Sequence, residues 1–307
     1  MAALQKRVGR RAMPWLFLLP NFILFAVFAF LPLALDLVYA LTGGDQLSLS
    51  SRPFIGGENF SSLLSCGNYL DPTTCERDLF WRSLFNTLLF VVVQVTAMVL
   101  IALTTALILN RNLRARGFFR SLVFFPVMLS PVVVALIWKW MLLRQGVFNA
   151  WLENVGIAPI DWLSSPNWAF FWAVLVSIWA HVGFYVLILL AGLQAIPRDI
   201  YEAADMDATG RWRKLTRITL PLLWPNLLVV IVLALIRGVQ TFDEVYVLTG
   251  GGPGSATKLI VQFIYETGFA TQPRLYGLAA AASVCLAVLL IGLTLAQLRA
   301  NRRPVNE

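Results

Sequence analysis

Residues 15–35 contain no charged side chain, and five further long apolar stretches with few or no charges follow along the chain. A helix needs about 20 apolar residues to cross the hydrocarbon core of a bilayer, so this one feature decides which solvent the chain meets. The stretches lie near 15–41, 84–109, 121–143, 168–193, 221–247 and 275–298. Lipid offers no partner to a backbone amide, so each stretch must close its hydrogen bonds within itself as a helix. The expectation is an all-α membrane protein with six transmembrane helices, in which Pro20, Pro32, Pro126 and Pro131 act as kinks rather than breaks. Composition agrees, since 59% apolar and 13% charged residues leave too little polar surface to clothe a water-soluble globule. The first stretch is too long for a signal-peptide core, and no small-residue cleavage site precedes Asp36. It is therefore expected to be retained as the first span.

The connections carry the orientation signal, because basic residues flank spans on the cytoplasmic side. The chain holds 24 Lys and Arg against 16 Asp and Glu, and the basic residues sit at span ends rather than in one patch. Lys6, Arg7, Arg10 and Arg11 precede the first span, and Arg111, Arg114, Arg116 and Arg120 follow the second. Arg198, Arg211, Arg213, Lys214 and Arg217 follow the fourth, and Arg299, Arg302 and Arg303 follow the sixth. The opposite connections hold Arg52, Arg77, Arg144 and Lys258, with five carboxylates in residues 42–80. The reading is a cytoplasmic N-terminus over 1–14, a six-span bundle over 15–298 and a cytoplasmic tail over 299–307. The even number of spans agrees with the charge rule.

Several chemistries are excluded. Three cysteines in separate neighbourhoods and a single histidine form neither a disulfide scaffold nor a zinc framework, so no metal site is expected. Cys66 and Cys75 share the 42–80 loop, where an oxidising exterior permits a bridge and two free thiols explain the same residues equally well. Cys285 lies in a span as a packing residue. The glycines at 250, 251, 252 and 254 lack the Gly-Lys-Ser/Thr ending of a phosphate loop, so a nucleotide must be bound elsewhere. An intramembrane hydrolase would need a partner for His181, and its own span offers no Ser or Asp at obvious helical spacing. A gradient-driven transporter would need a buried carboxylate relay, whereas the acids here fall mostly in loops and at span ends.

The loop over 195–221 is the most patterned segment outside the spans. Pro197 suits the first position of a helix, Asp199 and Glu202 complement its positive end, and Gly210 supplies a left-handed stop. Such a helix over 197–209 measures about 20 Å. Trp212, Leu215 and Ile218 then recur at three-residue spacing among Arg211, Arg213, Lys214 and Arg217, a surface-lying pattern. Charge alone makes this loop a passive connector.

The order Glu202-Ala203-Ala204, Asp207, Gly210, then Ile218-x-Leu220-Pro221 resembles the EAA signature of permease subunits in binding-protein-dependent ABC importers. One departure is Ala208, where that family often has glycine. The resemblance implies a type I ABC importer permease fold with a cytoplasmic coupling helix that docks on an ATPase subunit through Glu202, Ala203, Ala204, Asp207 and Gly210. Residues 242–253, with Tyr276-Gly-Leu-Ala-Ala-Ala-Ala-Ser283 downstream, are similar to the carbohydrate-uptake branch, of the maltose and glycerol-3-phosphate type. The partners so implied are a second homologous permease, two ATP-binding subunits that carry ATP and Mg, and an extracytoplasmic solute-binding protein. The chain itself would bind no cofactor and catalyse nothing.

Ionisable and polar groups inside spans are costly, so each is a candidate for function. Arg237 lies past the middle of the fifth span, with Thr241 and Glu244 at i+4 and i+7 and Gln240 nearby. By the family resemblance the solute contacts fall at Ala234, Arg237, Gly238 and Thr241. Arg237 either lines the path or pairs with Glu244 or Asp243. His181, Phe184 and Tyr185 of the fourth span form the facing wall, with core packing as the alternative for each. Lys139, between Trp138 and Trp140, reads as a snorkelling interfacial anchor, and Asp36 as ambiguous. Gln94 and Asn86 read as helix-to-helix hydrogen bonds.

Overall fold

A computed structural model describes residues 13–111 and 114–300. The basic N-terminal residues Lys6, Arg7, Arg10 and Arg11 lie outside the described residues, as do Arg302 and Arg303 of the tail. The helices are α1 (Phe17–Ala40), α2 (Glu58–Leu64), α3 (Asp78–Leu109), α4 (Arg116–Phe124), α5 (Pro131–Leu142), α6 (Val147–Asn154), α7 (Pro166–Ala195), α8 (Arg198–Met206), α9 (Arg211–Val239), α10 (Asp243–Thr249), α11 (Ile260–Tyr265) and α12 (Tyr276–Ala300). Six segments among the described residues are long and apolar enough to cross a membrane: α1, α3, α5 with α6, α7, α9 and α12. The chain divides into two compact units.

One unit contains α1, the loop to α2, and residues 264–289. Proline has no amide hydrogen, and α1 absorbs Pro32 by widening into a π turn over Ala26–Phe30 just before it, so the helix continues as expected. None of the most apolar stretch of α1 is covered by the rest of the chain. Asp36 bonds the hydroxyl of Ser283 on α12, which resolves that residue as a polar tie. The loop after α1 is gathered around Arg52, which is buried and donates to the carbonyls of Thr42, Gly44 and Gln46 at 3.1, 2.9 and 2.7 Å. Cys66 and Cys75 are joined by a disulfide.

The second unit is built on α3, α7 and α9. Phe90 of α3 meets Phe170 of α7, and Gln94 donates to Ser177 at 3.2 Å, so these two helices run in the same direction. Gly192 of α7 lies against Leu223 and Asn226 near the start of α9, whereas His181 meets Arg237 near its end, so α9 runs the other way.

Four sequence expectations need correction here. The third span is not a helix kinked at Pro126 and Pro131. After α4 the backbone tightens into a 3₁₀ turn over Phe125–Met128, goes extended at Leu129 and Ser130, and restarts at Pro131. A proline disfavours helical geometry in the residue before it, and Ser130 yields by adopting ψ 136°. The fifth span also ends early, because α9 stops at Val239 and α10 begins at Asp243, so Glu244 does not continue the face of Arg237. Lys139 does not snorkel; its ammonium donates to the carbonyl of Val247 at 3.0 Å and fastens α5 to the last turn of α10. Asn86 likewise bonds the loop carbonyls of Ser255 and Lys258 rather than a neighbouring helix, while Gln94 does tie helix to helix.

Candidate functional site

The break between α4 and α5 has a spatial consequence. An added Cβ on Gly183 would come within 2.3 Å of the carbonyl oxygen of Val123, so only glycine lets α7 approach this stretch so closely. Beside that contact opens a cavity of about 460 Å³ lined by Leu129, Pro131, His181, Phe184, Tyr185 and Leu233 together with Val127, Ala180, Ile236, Arg237 and Gln240. Irregular backbone at membrane depth is tolerated where it lines a cavity, which is its position here.

Polar groups converge from α7 and α9. Arg237 donates from Nη2 to Nε2 of His181 at 2.8 Å, so that nitrogen must supply a lone pair. The proton of the neutral ring then sits on Nδ1, which donates to the Ser177 carbonyl at 2.8 Å, one helical turn back. Glu244 lies 3.9 Å from Nδ1 and accepts from the Ser177 hydroxyl at 3.1 Å. That hydroxyl in turn accepts from Gln94. Gln94, Ser177 and Glu244 are buried, so their bonds are not exchanged with water. The result is a chain from α3 through α7 to α9 that ends on a guanidinium at the cavity wall. Phe184 and Tyr185 add an edge-to-face aromatic pair with centroids 5.4 Å apart, and Phe184 remains half exposed. Such a wall offers donors and a ring face to a polyhydroxylated solute.

Of the two readings of Arg237, the guanidinium lines the cavity and contacts His181 rather than pairing with Glu244 or Asp243. Five of the eight expected solute residues line the cavity: His181, Phe184, Tyr185, Arg237 and Gln240. Ala234, Gly238 and Thr241 do not. Thr241 is buried and returns its hydroxyl to the Arg237 carbonyl at 3.1 Å. Gly238 faces Gln94, whose Oε1 would stand 2.7 Å from an added Cβ. Ser177 corrects the reading that the span of His181 offers no Ser at helical spacing, since it stands four residues before it; its hydroxyl, however, bonds Glu244 and Gln94, and only its carbonyl meets the ring.

The patterned loop forms a shorter element than expected. α8 runs for nine residues, about 14 Å, with Pro197 as its N-cap and Asp207 as its C-cap. Glu202 and Ala203 are exposed, while Ala204 is buried. Tyr201 bonds Thr219 at 3.0 Å and holds α8 to the start of the fifth span. Gly210 is not the left-handed stop. It has φ −64° and caps the start of α9, whereas Ala208 carries the positive φ of 50° that ends α8. After it Trp212 is largely exposed while Leu215 and Ile218 are half-buried, within a helix that runs on into the span.

Residues 98–305 match the family described as binding-protein-dependent transport system inner membrane component. The chain is 36% identical over 292 residues to the trehalose/maltose transport system permease protein MalF of Thermococcus litoralis, covering 94% of this chain and 93% of that one. It is 35% identical to the lactose transport system permease protein LacF of Rhizobium radiobacter, with 94% and 93% coverage. Among solved structures, a chain of a bacterial ABC transporter involved in the import of the acidic polysaccharide alginate superposes with a TM-score of 0.81, 26% identity and coverage of 99% and 100%. With this fold, these spans and these relatives, the chain belongs to the binding-protein-dependent transport family, as a multi-pass inner-membrane permease subunit of an ABC importer and a transport component rather than an enzyme.

Proposed function

We propose that the chain forms one half of an alternating-access path for a sugar or sugar-like solute, and that the cavity at Arg237 is where the solute rests in transit. The observation that carries this reading is the fixed guanidinium beside an aromatic pair in an otherwise apolar bundle. Arg237 and Gln240 stand open to the cavity and present donors that a solute hydroxyl can accept from. The relatives named for sugar transport support the solute class.

In this reading a second permease supplies the facing half, and a binding protein delivers solute from outside. Two ATP-binding subunits hold ATP and Mg²⁺ and dock on α8 through exposed Glu202 and Ala203, with Asp207 at its end. Both termini are cytoplasmic. The clustering of Arg111, Arg116, Arg120 and Arg198 at one end, and a disulfide in residues 42–80, support that orientation.

The test is reconstitution of the whole complex in liposomes with its binding protein. Uptake should require ATP, and Arg237→Ala should abolish solute-stimulated uptake while all subunits still co-purify. Uptake without ATPase subunits would sink the importer mechanism; normal uptake by Arg237→Ala would place the solute elsewhere.

A further inference from the structure

A second polar cavity, of about 800 Å³, opens at the opposite end of α3 and α7 from their starts, where Asn110 and Arg111 follow α3 and Gln194 ends α7. Arg116 and Arg120 reach it from α4 and Arg198 from the first position of α8. These four arginines enter none of the ion pairs found among the described residues. With its amide oxygen turned toward them, Gln194 accepts from Arg116 at 2.9 Å and from Arg120 at 2.7 Å. That one neutral acceptor leaves most of the donors unmatched, since each guanidinium carries five. The Nε atoms of Arg116 and Arg120 are shielded from solvent and bond nothing.

Two ordinary explanations fall short. Helix dipoles favour cations at C-terminal ends, which accounts for Arg111, but Arg116 and Arg198 sit at the N-terminal ends of α4 and α8, where cations are disfavoured. The positive-inside bias explains basic residues near span ends, yet it does not require four of them to converge on one cavity.

We infer that this cavity binds the phosphodiester headgroup of an anionic phospholipid. Guanidinium forks match phosphate oxygens bidentately, and a phosphodiester supplies the acceptors that the arginines lack. The choice of a lipid over a soluble phosphate comes from α4. Phe118, Phe119 and Leu122, on the helix that carries Arg116 and Arg120, are exposed by 65%, 45% and 59%. The same short helix therefore presents apolar side chains for acyl chains and cations for a headgroup, as basic pockets at a membrane surface do. Through Arg198 the headgroup would also touch the first residue of α8.

The experiment is native mass spectrometry of the purified full complex, titrated with phosphatidylglycerol or phosphatidylcholine in detergent. Phosphatidylglycerol should be retained about tenfold better, and Arg116→Gln with Arg120→Gln should remove that preference. Because shielded arginines can matter for folding, the exposed Arg198→Gln is made alongside and should weaken retention with the complex intact. Arg211→Gln with Arg213→Gln, basic residues outside the cavity, should leave the preference for phosphatidylglycerol in place. Equal retention by the Arg116/Arg120 and Arg198 variants overturns the site. Displacement of the lipid by millimolar inorganic phosphate would assign the cavity to a soluble anion instead. Loss of the ATP-binding subunits from Arg198→Gln with lipid retention unchanged would make it a protein interface, which also overturns the proposal.

Discussion

Arg237 and His181 meet at 2.8 Å with the guanidinium donating and Nε2 accepting, so the histidine positions the arginine and is itself fixed by the Ser177 carbonyl. Replacing the ring by Phe keeps the bulk and removes the acceptor. His181→Phe is expected to raise the solute concentration for half-maximal transport about tenfold while leaving assembly intact, the loss of one hydrogen bond to a charged group. His181→Gln, which restores an acceptor, should recover part of it. Liposome uptake across a solute titration gives both values.

Ala208 holds a left-handed conformation that costs a residue with a Cβ about 1–2 kcal/mol. Ala208→Gly should therefore stabilise the end of α8 by about 1 kcal/mol, less the added freedom of the unfolded chain. Ala208→Val should destabilise it. Thermal unfolding of the purified complex, or hydrogen exchange across α8, measures the difference.

Glu202 and Ala203 share the open side of α8, whereas Ala204 packs inward. Glu202→Ala is predicted to leave ATP hydrolysis running and reduce transport, which separates coupling from catalysis. Ala203→Phe should weaken retention of the ATP-binding subunits during purification. A Glu202→Ala complex with the normal ratio of solute moved to ATP spent would return the loop to a passive connector.

Gly238 lies against Gln94 and not in the cavity, so its substitution tests packing and not recognition. Gly238→Val should lower thermal stability by about 1–3 kcal/mol through overpacking. At temperatures where it stays folded, its half-saturating solute concentration should match that of the parent. A selective rise in that concentration with unchanged stability would restore Gly238 as a contact.

The bridge between Cys66 and Cys75 makes a labelling prediction, because the chain has three cysteines. In denaturant without reductant, maleimide should modify Cys285 alone; with reductant it should modify all three. An impermeant reductant added to spheroplasts should release the pair if residues 42–80 face outward.

Much of the architecture was legible because lipid leaves few choices. An uncharged run of sufficient length must be helical, and basic connections mark the ends, so six crossings followed from counting. The break at Ser130 was not legible, since proline within an apolar run is compatible with either a kink or a restart, and the break at Gln240–Phe242 has no proline to mark it. Neighbours decide between them, here Gly183 against Val123 and Lys139 against Val247. The candidate site was read in part. His181 and Arg237 stood out as polar residues in apolar spans, but their contact joins positions 56 apart in sequence and needed the antiparallel packing of α7 and α9. The reading of Gly210 erred because glycine suits both a left-handed stop and an N-cap, and the chain used alanine for the stop.

Leu129 reaches the cavity from an extended step between the 3₁₀ turn that carries Val127 and the helix that starts at Pro131. In the proposed reading that side meets the solute with three apolar side chains, which supply contact but no side-chain hydrogen bond. Scanning mutagenesis will then be nearly silent along one wall of the chamber and loud along the other, at Arg237 and His181.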